Sequence, residues 1–257
     1  MALELFIPYI IVFLYGIVIG SFLNVCLYRL PKGESVVTVG SHCMQCNHRL
    51  KWRDLIPLFS WLALKGKCRY CGARVSVQYP IVEAVNGGLY ILVFAVNGWN
   101  VDSVLWCLLA SALLVIAVMD YRTMLIPGYM DALIFGIGVV HLGLHWDNWT
   151  YYVIGFFSVS LFLLLCALLF RGITGKSGLG LGDVELMACA GLCIGWGHAL
   201  LALVVASVSG SVIQGITMAV TKRGGKFALG PYLAAGIFAA ALWGDTFLQW
   251  YLHLLIR

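Results

Sequence analysis

The chain has 257 residues, of which 62% are apolar and 11% charged, and its mean hydropathy is +0.95. Soluble domains contain about 45–50% apolar and about 25% charged residues. This composition excludes a disordered chain and an ordinary soluble enzyme, and nine cysteines in this length are too few for a small disulfide scaffold. Lipid is therefore expected to be the solvent for most of the chain.

Uncharged stretches follow one another along the chain, and in order they are residues 5–28, 84–101, 103–119, 132–146, 148–170, 186–221, 227–244 and 246–256. A membrane-spanning helix needs about 20 mostly apolar residues. The fourth stretch reaches that length only if it includes Asp131. The run 186–221 is too long for one span, and its Gly195-Trp196-Gly197 break predicts two short helices. The last two runs fit one long helix that contains Asp245, or a helix with an interfacial tail. The sequence thus predicts an all-α polytopic membrane protein with about eight transmembrane helices.

Lys and Arg residues are concentrated in alternate loops. Nine of the 16 lie within residues 29–79, and six more lie in three shorter segments, 120–128, 171–183 and 221–226. The intervening loops have none. Because positively charged loops stay in the cytoplasm, these four segments are expected on the cytoplasmic side and both chain ends on the other. The net charge of +5 is therefore a topology signal, and no nucleic-acid partner is predicted.

Charge also divides the chain into a first transmembrane helix at 1–29, a cytoplasmic loop at 30–79 and a transmembrane bundle at 80–257. Two CxxC motifs in the loop, separated by 21 residues, supply Cys43, Cys46, Cys68 and Cys71. This spacing predicts a tetrahedral zinc site. Four thiolates leave no open position, so the metal is expected to be structural, folding a loop too short to build its own core. The alternatives are free thiols or disulfides, and disulfides are rare in a reducing compartment.

Two carboxylates are expected at the same membrane face. Asp120 lies at the predicted end of the third span, and Asp183 lies at the start of the sixth, after a Gly-rich segment. Carboxylates at membrane depth are costly and are therefore functional candidates. A contacting pair holds one shared proton, so one group acts as base on a water molecule and the other as acid on a peptide carbonyl. The alternative is that one caps a helix and the other pairs with Arg122.

Other functions also fit parts of this pattern. Asp120 and Asp183 could form the relay of an ion- or proton-coupled transporter, and the cysteine loop could be the docking module of a non-enzymatic assembly scaffold. A Ser–His dyad could be built from Ser209 or Ser211 with His141, His145 or His198, but nothing orients it. Glu83 and Asp131 are weaker candidates, which could support substrate binding.

Several longer motifs occur in order along the chain. They are Gly20-Ser21-Phe22-Leu23-Asn24-Val25-Cys26-Leu27-Tyr28-Arg29-Leu30-Pro31, the four-cysteine loop with Ile56-Pro57-Leu58-Phe59-Ser60-Trp61-Leu62 and Gly66-Lys67-Cys68-Arg69-Tyr70-Cys71-Gly72, then Tyr79-Pro80 with Glu83, the Asp120 segment ending in Ile126-Pro127, Gly180-Leu181-Gly182-Asp183, and Gly230-Pro231. Together they cover nearly the whole chain. In them the chain resembles the bacterial type IV prepilin peptidases, a family of GxGD aspartic peptidases.

The resemblance implies a multi-span enzyme of the bacterial inner membrane. Members cut the basic leader from type IV prepilins or type II secretion pseudopilins at the cytoplasmic face, and many then methylate the new N-terminal amine with S-adenosylmethionine. It implies that Asp120 and Asp183 are the catalytic pair and that the four cysteines are the zinc ligands of a loop associated with methyl transfer. The position of the S-adenosylmethionine site stays unknown. Membrane lipid and a prepilin or pseudopilin substrate are the expected partners.

Two positions depart from the family pattern. Gly128 follows Ile-Pro where the family has Asp or Asn, and Glu185 stands two residues after Asp183 where the family has Lys. Positions i and i+2 do not face each other on a helix, but Glu185 still replaces a local positive charge with a negative one. We expect a pH–rate profile that differs from that of relatives with Lys. An unchanged profile in the Glu185→Lys variant would contradict this expectation.

Overall fold

The computed structural model describes residues 2–175, 180–221 and 227–255. These residues form nine α helices: α1 Ala2–Arg29, α2 Phe59–Ala63, α3 Gln78–Asn97, α4 Val101–Thr123, α5 Gly128–Leu144, α6 Trp149–Thr174, α7 Leu181–Ile194, α8 Trp196–Thr221 and α9 Gly230–Leu255. Short 3₁₀ turns cover Leu30–Lys32, Trp52–Asp54 and Trp146–Asn148. Some residues used for the sequence predictions lie outside the described residues, namely Lys176, Gly178, Leu179, Lys222, Arg223 and Lys226.

Within the described residues, six helical segments are long and apolar enough to cross a membrane: Phe6–Lys32, Gln78–Asn97, Val101–Thr123, Trp146–Thr174, Trp196–Val220 and Gly230–Leu254. The two remaining long helices, α5 and α7, are shorter, with 17 and 14 residues. The predicted all-α, multi-pass membrane fold is therefore confirmed. The expected count of about eight is approximate, because it corresponds to eight helices of which six have full spanning length.

Helix boundaries follow local chemistry. Gly195 adopts a φ of 80°, a left-handed conformation that ends α7 and lets α8 begin one residue later, as the Gly-rich break predicts. The last two uncharged runs form the single helix α9, which contains Asp245. In contrast, α3 begins at Gln78, before the uncharged stretch at 84–101, since Pro80 fits within a first helical turn and Glu83 lies inside the helix.

The first compact unit, Met1–Ser103, is organised by the close pairing of α1 with α3. A Cβ placed on Gly16 would lie 2.7 Å from the Cα of Gly87, and one on Gly20 would lie 2.8 Å from the Cα of Glu83. Small residues four apart allow this backbone approach, as in other membrane helix pairs. The Asn86 side chain also donates a hydrogen bond to the Gly16 carbonyl at 2.8 Å. The tetracysteine loop, residues 30–77, connects these two helices.

The second compact unit, Val104–Arg257, is built around α7. Every residue from Leu186 to Ile194 is buried, and α7 packs against α5, α6, α8 and α9. Gly155 and Gly191 bring the backbones of α6 and α7 so close that a Cβ on either would overlap the other helix. The Cys193 thiol donates to the Ile134 carbonyl on α5 at 3.3 Å. A short helix is stable here because protein surrounds it on all sides.

Candidate active site and metal centre

Asp120 lies in the last turn of α4 and is held by the start of α9. Its side chain is 6% exposed, and its Oδ2 accepts a hydrogen bond from the Gly230 N–H at 2.8 Å. A Cβ on Gly230 would lie only 2.6 Å from that oxygen, so a side chain at this position would displace the carboxylate. The glycine therefore lets a backbone donor reach Asp120 directly.

Asp183 occupies the first turn of α7, where the helix dipole favours a negative charge. Its carboxylate is hydrogen-bonded to the backbone of Gly180, the residue that precedes the helix, and it interacts electrostatically with Asp120. The structure thus brings together the two aspartates that the sequence analysis singled out. Their surroundings differ, since Asp120 lies at a helix C-terminus and Asp183 at an N-terminus. Unequal surroundings are what an acid–base pair requires.

A third carboxylate, Asp131, lies close to this pair. It is 4% exposed in the first turn of α5, and neither of its oxygens has a hydrogen-bond partner among the described residues. It interacts electrostatically with both Asp183 and Glu185. The sequence analysis gave Asp131 only a supporting role, because it could not show that α5 packs against α7 at this end.

Two of the residues considered for a dyad, Ser209 and His198, are engaged elsewhere. The Ser209 hydroxyl donates to the Val205 carbonyl of its own helix at 2.7 Å. The Nδ1 of His198 lies 2.9 Å from the Ile194 carbonyl, and its Nε2 lies 3.2 Å from Asp245. Ser209 and His198 therefore do not form a nucleophile–base pair in the described part of the chain.

The four cysteines of the loop form a cluster that could hold a metal ion, with all sulfur atoms within 4.8 Å of one another. Both CxxC motifs fold in the same way. Asn47 N–H donates to the Cys43 carbonyl and Gly72 N–H to the Cys68 carbonyl, each at 2.9 Å. Asn47 and Gly72 both have left-handed φ angles, of 53° and 72°, which turn the chain back after each motif. Each pair of cysteines is thus directed at the same point.

The cluster geometry fits zinc. Zinc–sulfur bonds of about 2.3 Å in a tetrahedron place the sulfur atoms roughly 3.8 Å apart. The Cys43 and Cys71 sulfur atoms lie 3.8 Å apart. Backbone N–H groups of Cys46 and Gln45 donate to the Cys43 sulfur and lower the pKa of this thiol to about 6, which favours a thiolate at Cys43. At Cys71, a backbone hydrogen bond from Ala73 lowers the pKa, but burial and the neighbouring thiols outweigh it and raise the pKa to about 12.

Asp54 ties the second motif to the spacer between the motifs. It accepts hydrogen bonds from Arg69 Nε at 2.7 Å, from the Tyr70 hydroxyl at 2.9 Å and from the Lys51 N–H at 3.1 Å. Burial of the carboxylate opposes ionisation, but these three donors outweigh it and hold the pKa of Asp54 below its ordinary value. The ion pair and hydrogen bonds of Asp54 therefore stabilise the cysteine cluster, in addition to the backbone turns of its own motifs.

Two protein-family models match separate parts of the chain. The Bacterial Peptidase A24 N-terminal domain model matches residues 14–97, and the Type IV leader peptidase family model matches residues 107–215. The Prepilin leader peptidase/N-methyltransferase of Aeromonas salmonicida strain A449 is 32% identical over 96% of this chain and 94% of its own length. This chain belongs to the type IV leader peptidase family. Proteins of the same name from Aeromonas hydrophila and Pseudomonas putida are each 33% identical, over 94% and 90% of this chain and 93% and 88% of their own lengths. No solved structure matches the chain.

Family membership decides between the alternatives left by the sequence. The two family models match the two compact units separately, one the unit with the cysteine cluster and the other the unit with the aspartate pair. The transporter alternative finds no support in these relatives, whose names are those of a peptidase and methyltransferase.

The sequence analysis missed two buried polar residues of the first unit, Asn24 and Arg29. It quoted both within a motif without assigning either a role.

Proposed function

We propose that this protein cleaves the leader peptide of type IV prepilins or type II secretion pseudopilins and then methylates the new N-terminal amine. The observation that carries the proposal is the juxtaposition of Asp120 and Asp183 within the segment that matches the type IV leader peptidase family. The names of the relatives in the Aeromonas species and in Pseudomonas putida support both activities.

The aspartate pair performs the hydrolysis in this proposal. One carboxylate takes a proton from water as the water oxygen attacks the scissile peptide carbonyl, and the other donates a proton to the developing oxyanion. Collapse of the tetrahedral species breaks the C–N bond, and the leaving amine receives a proton from the pair. The Gly230 N–H holds the Asp120 carboxylate in position through both steps.

Zinc is the metal that we assign to Cys43, Cys46, Cys68 and Cys71. Four thiolates complete its coordination, so it has a structural role and fixes the fold of the loop. For the second activity, bound S-adenosylmethionine would supply an electrophilic methyl group to the new N-terminal amine, with S-adenosylhomocysteine and a proton as the other products.

The proposed location is the bacterial inner membrane, with the cysteine loop and the aspartate pair at the cytoplasmic face. Support comes from the distribution of Lys and Arg, of which nine lie within residues 29–79. Arg122 lies in the same turn of α4 as Asp120, which supports a position of the pair on the positively charged side. A pilin leader that is itself basic and stays in the cytoplasm would meet the pair there.

Incubation of the purified full-length protein with a prepilin and S-adenosylmethionine tests both activities. Mass spectrometry of the pilin is expected to show loss of the leader, followed by the mass gain of one methyl group at the new N-terminus. Omission of S-adenosylmethionine is expected to abolish only the second change. An intact prepilin after incubation with folded protein in lipid would overturn the peptidase assignment, and cleavage without methyl gain would overturn the methyltransferase assignment.

A further inference from the structure

A cavity of about 420 Å³ lies within the first unit, enclosed by α1, the start of α3 and the tetracysteine loop. Pockets for small molecules and cofactors measure roughly 300–1,000 Å³. Its wall includes apolar and aromatic side chains, among them Tyr28, Trp61 and Leu64, together with Asn24, Arg29 and Glu83. The structural role expected for the cysteine cluster does not account for this cavity, although Cys43 and Cys68 contribute to its wall.

Asn24 contributes to the wall of this cavity and carries a buried acceptor without a partner among the described residues. Its side chain is 2% exposed, and its Nδ2 donates to the Gly20 carbonyl at 3.3 Å and to the Tyr79 carbonyl at 3.1 Å. These two acceptors fix the orientation of the amide, since the reversed amide would place its oxygen against both carbonyls. The remaining Oδ1 has no hydrogen-bond partner among the described residues. A buried acceptor without a partner costs about 1–3 kcal/mol, so the site is suited to a ligand that carries an N–H donor.

Glu83 and Arg29 bring opposite charges to the same cavity without pairing with charged groups. Glu83 is 5% exposed and accepts a hydrogen bond from the Leu58 N–H at 2.7 Å. Arg29 is 6% exposed, and its guanidinium donates to the carbonyls of Ser35, Val39 and Gly40. Neither has an oppositely charged side chain within ion-pair distance in the ranges that the structure describes. Buried charges are normally paired, so both ends of a zwitterion would find a partner here.

We propose that this cavity is the binding site for the methyl donor, S-adenosylmethionine. The donor combines a positively charged sulfonium, an amino acid with both charges, and an adenine with N–H donors. Glu83 faces its cationic groups, Arg29 its carboxylate and Asn24 an N–H group. This inference rests on the proposed methyltransferase activity, because that activity requires a pocket for such a ligand.

The same placement gives the cysteine cluster a role in binding. Cys43 and Cys68 contribute to the cavity wall, one from each CxxC motif. A metal that fixes the two motifs would therefore fix one side of the pocket. Binding of the structural metal and binding of the methyl donor would then affect each other, although the two ligands do not touch.

Binding of radiolabelled S-adenosylmethionine to the purified full-length protein, measured by equilibrium dialysis without any pilin, tests the site. Glu83→Gln is expected to raise the Kd about 10-fold to 100-fold, since a hydrogen bond to a charged group contributes about 1.5–3 kcal/mol. Asn24→Ala is expected to raise it about threefold to tenfold, as for a neutral hydrogen bond. The matched control is Asn86→Ala, which removes a buried hydrogen bond between the same two helices but does not line the cavity. Its Kd is expected to stay within about twofold of the wild-type value.

The outcomes separate this inference from the proposed function. Wild-type protein that binds the donor and methylates cleaved pilin, with both cavity variants folded and binding as tightly as wild type, overturns the pocket and leaves the function intact. Wild-type protein that cleaves prepilin but neither binds nor uses the donor overturns the methyltransferase assignment itself. A loss of binding in Asn86→Ala equal to that in Glu83→Gln assigns the effect to helix packing and overturns the pocket. Circular dichroism and thermal melting show that each variant is folded.

Discussion

The cysteine cluster and the aspartate pair are built in opposite ways. All four cysteines lie within 28 positions of one another, and each motif turns on its own backbone hydrogen bonds. The aspartate pair instead needs the end of α4, the start of α7 and the start of α9, and the Gly230 donor lies 110 positions from Asp120. A local site tolerates change elsewhere but not within its motif. A site assembled from helix ends depends on residues that carry no functional group.

The largest effect is expected from removing either carboxylate of the pair. Asp120→Asn and Asp183→Asn, made singly, are each expected to lower kcat for prepilin cleavage by about 10³-fold or more, since general acid–base catalysis contributes about 10²–10⁴-fold. The matched control is Asp245→Asn, an exposed carboxylate on α9, which should retain wild-type cleavage. Full activity in either of the two catalytic variants would rule out the pair as the catalytic site.

The next largest effect tests the local site. Cys68→Ser removes one of four thiolates, so the zinc content measured by mass spectrometry is expected to fall from about one ion per chain to nearly none. Protease cleavage within residues 43–71 should accelerate, because the metal supplies the folding energy of the loop. Cys166→Ser changes an exposed thiol on α6 and serves as the control. Full zinc retention in Cys68→Ser would remove this cysteine from the ligand set.

A third prediction concerns a residue without any functional group. Gly230→Ala places a methyl group against Asp120 Oδ2 and is expected to lower kcat about 10-fold to 100-fold, since a shift of about 1 Å in a catalytic group costs up to about 10²-fold. Gly215→Ala, at a helical glycine with no heavy atom within 4 Å of the added Cβ, is the control. Equal activity in the two variants would mean that the α9 contact does not position Asp120.

The smallest effect is expected at Asp54. Because its pKa is lowered in the folded loop, its contribution to stability is fully present above the ordinary value of about 3.9 and is lost only as the pH falls through the lowered value. Arg69 is half exposed, so the pair contributes at most about 1 kcal/mol. Asp54→Asn should therefore increase hydrogen exchange in residues 50–71 modestly and equally at about pH 6 and about pH 8. If the increase in hydrogen exchange caused by Asp54→Asn differs between these two pH values, the lowered pKa of Asp54 is contradicted.

The cysteine cluster and most of the helices could be predicted from the sequence, for physical reasons. CxxC spacing fixes which sulfurs meet, and the runs without charge mark the helices, since lipid excludes charged groups. Gly195 could be recognised as a helix break because the conformation of a glycine-rich turn depends on few residues outside the turn itself. The uncharged run alone would begin α3 too late, because Glu83 interrupts it, but the Tyr79-Pro80 motif and the predicted bundle from residue 80 place Glu83 at the start of this span, where it is buried inside the helix.

The contacts of the aspartate site could not be predicted from the spacing of residues along the sequence. Asp120 and Asp183 could be nominated, since carboxylates are rare in such a chain, but the Gly230 N–H donor could not. The same holds for the unpartnered oxygens of Asp131, which depend on the packing of α5 against α7. In the first unit, the sequence does not distinguish Asn24 from other polar residues in a helix, because the cavity that it lines is formed by segments far apart in the chain.

The length of α7 has a consequence for how the protein is made. Fourteen residues extend about 21 Å along a helix axis, which is less than the roughly 30 Å hydrocarbon core of a bilayer. Such a segment gains too little from lipid to enter a membrane by itself, so it must be delivered together with its neighbours. The backbone donor to Asp120 belongs to Gly230, the first residue of α9, which follows Asp120 by 110 positions in the chain. During translation, Asp120 therefore stays without this donor until α9 has begun to be synthesised.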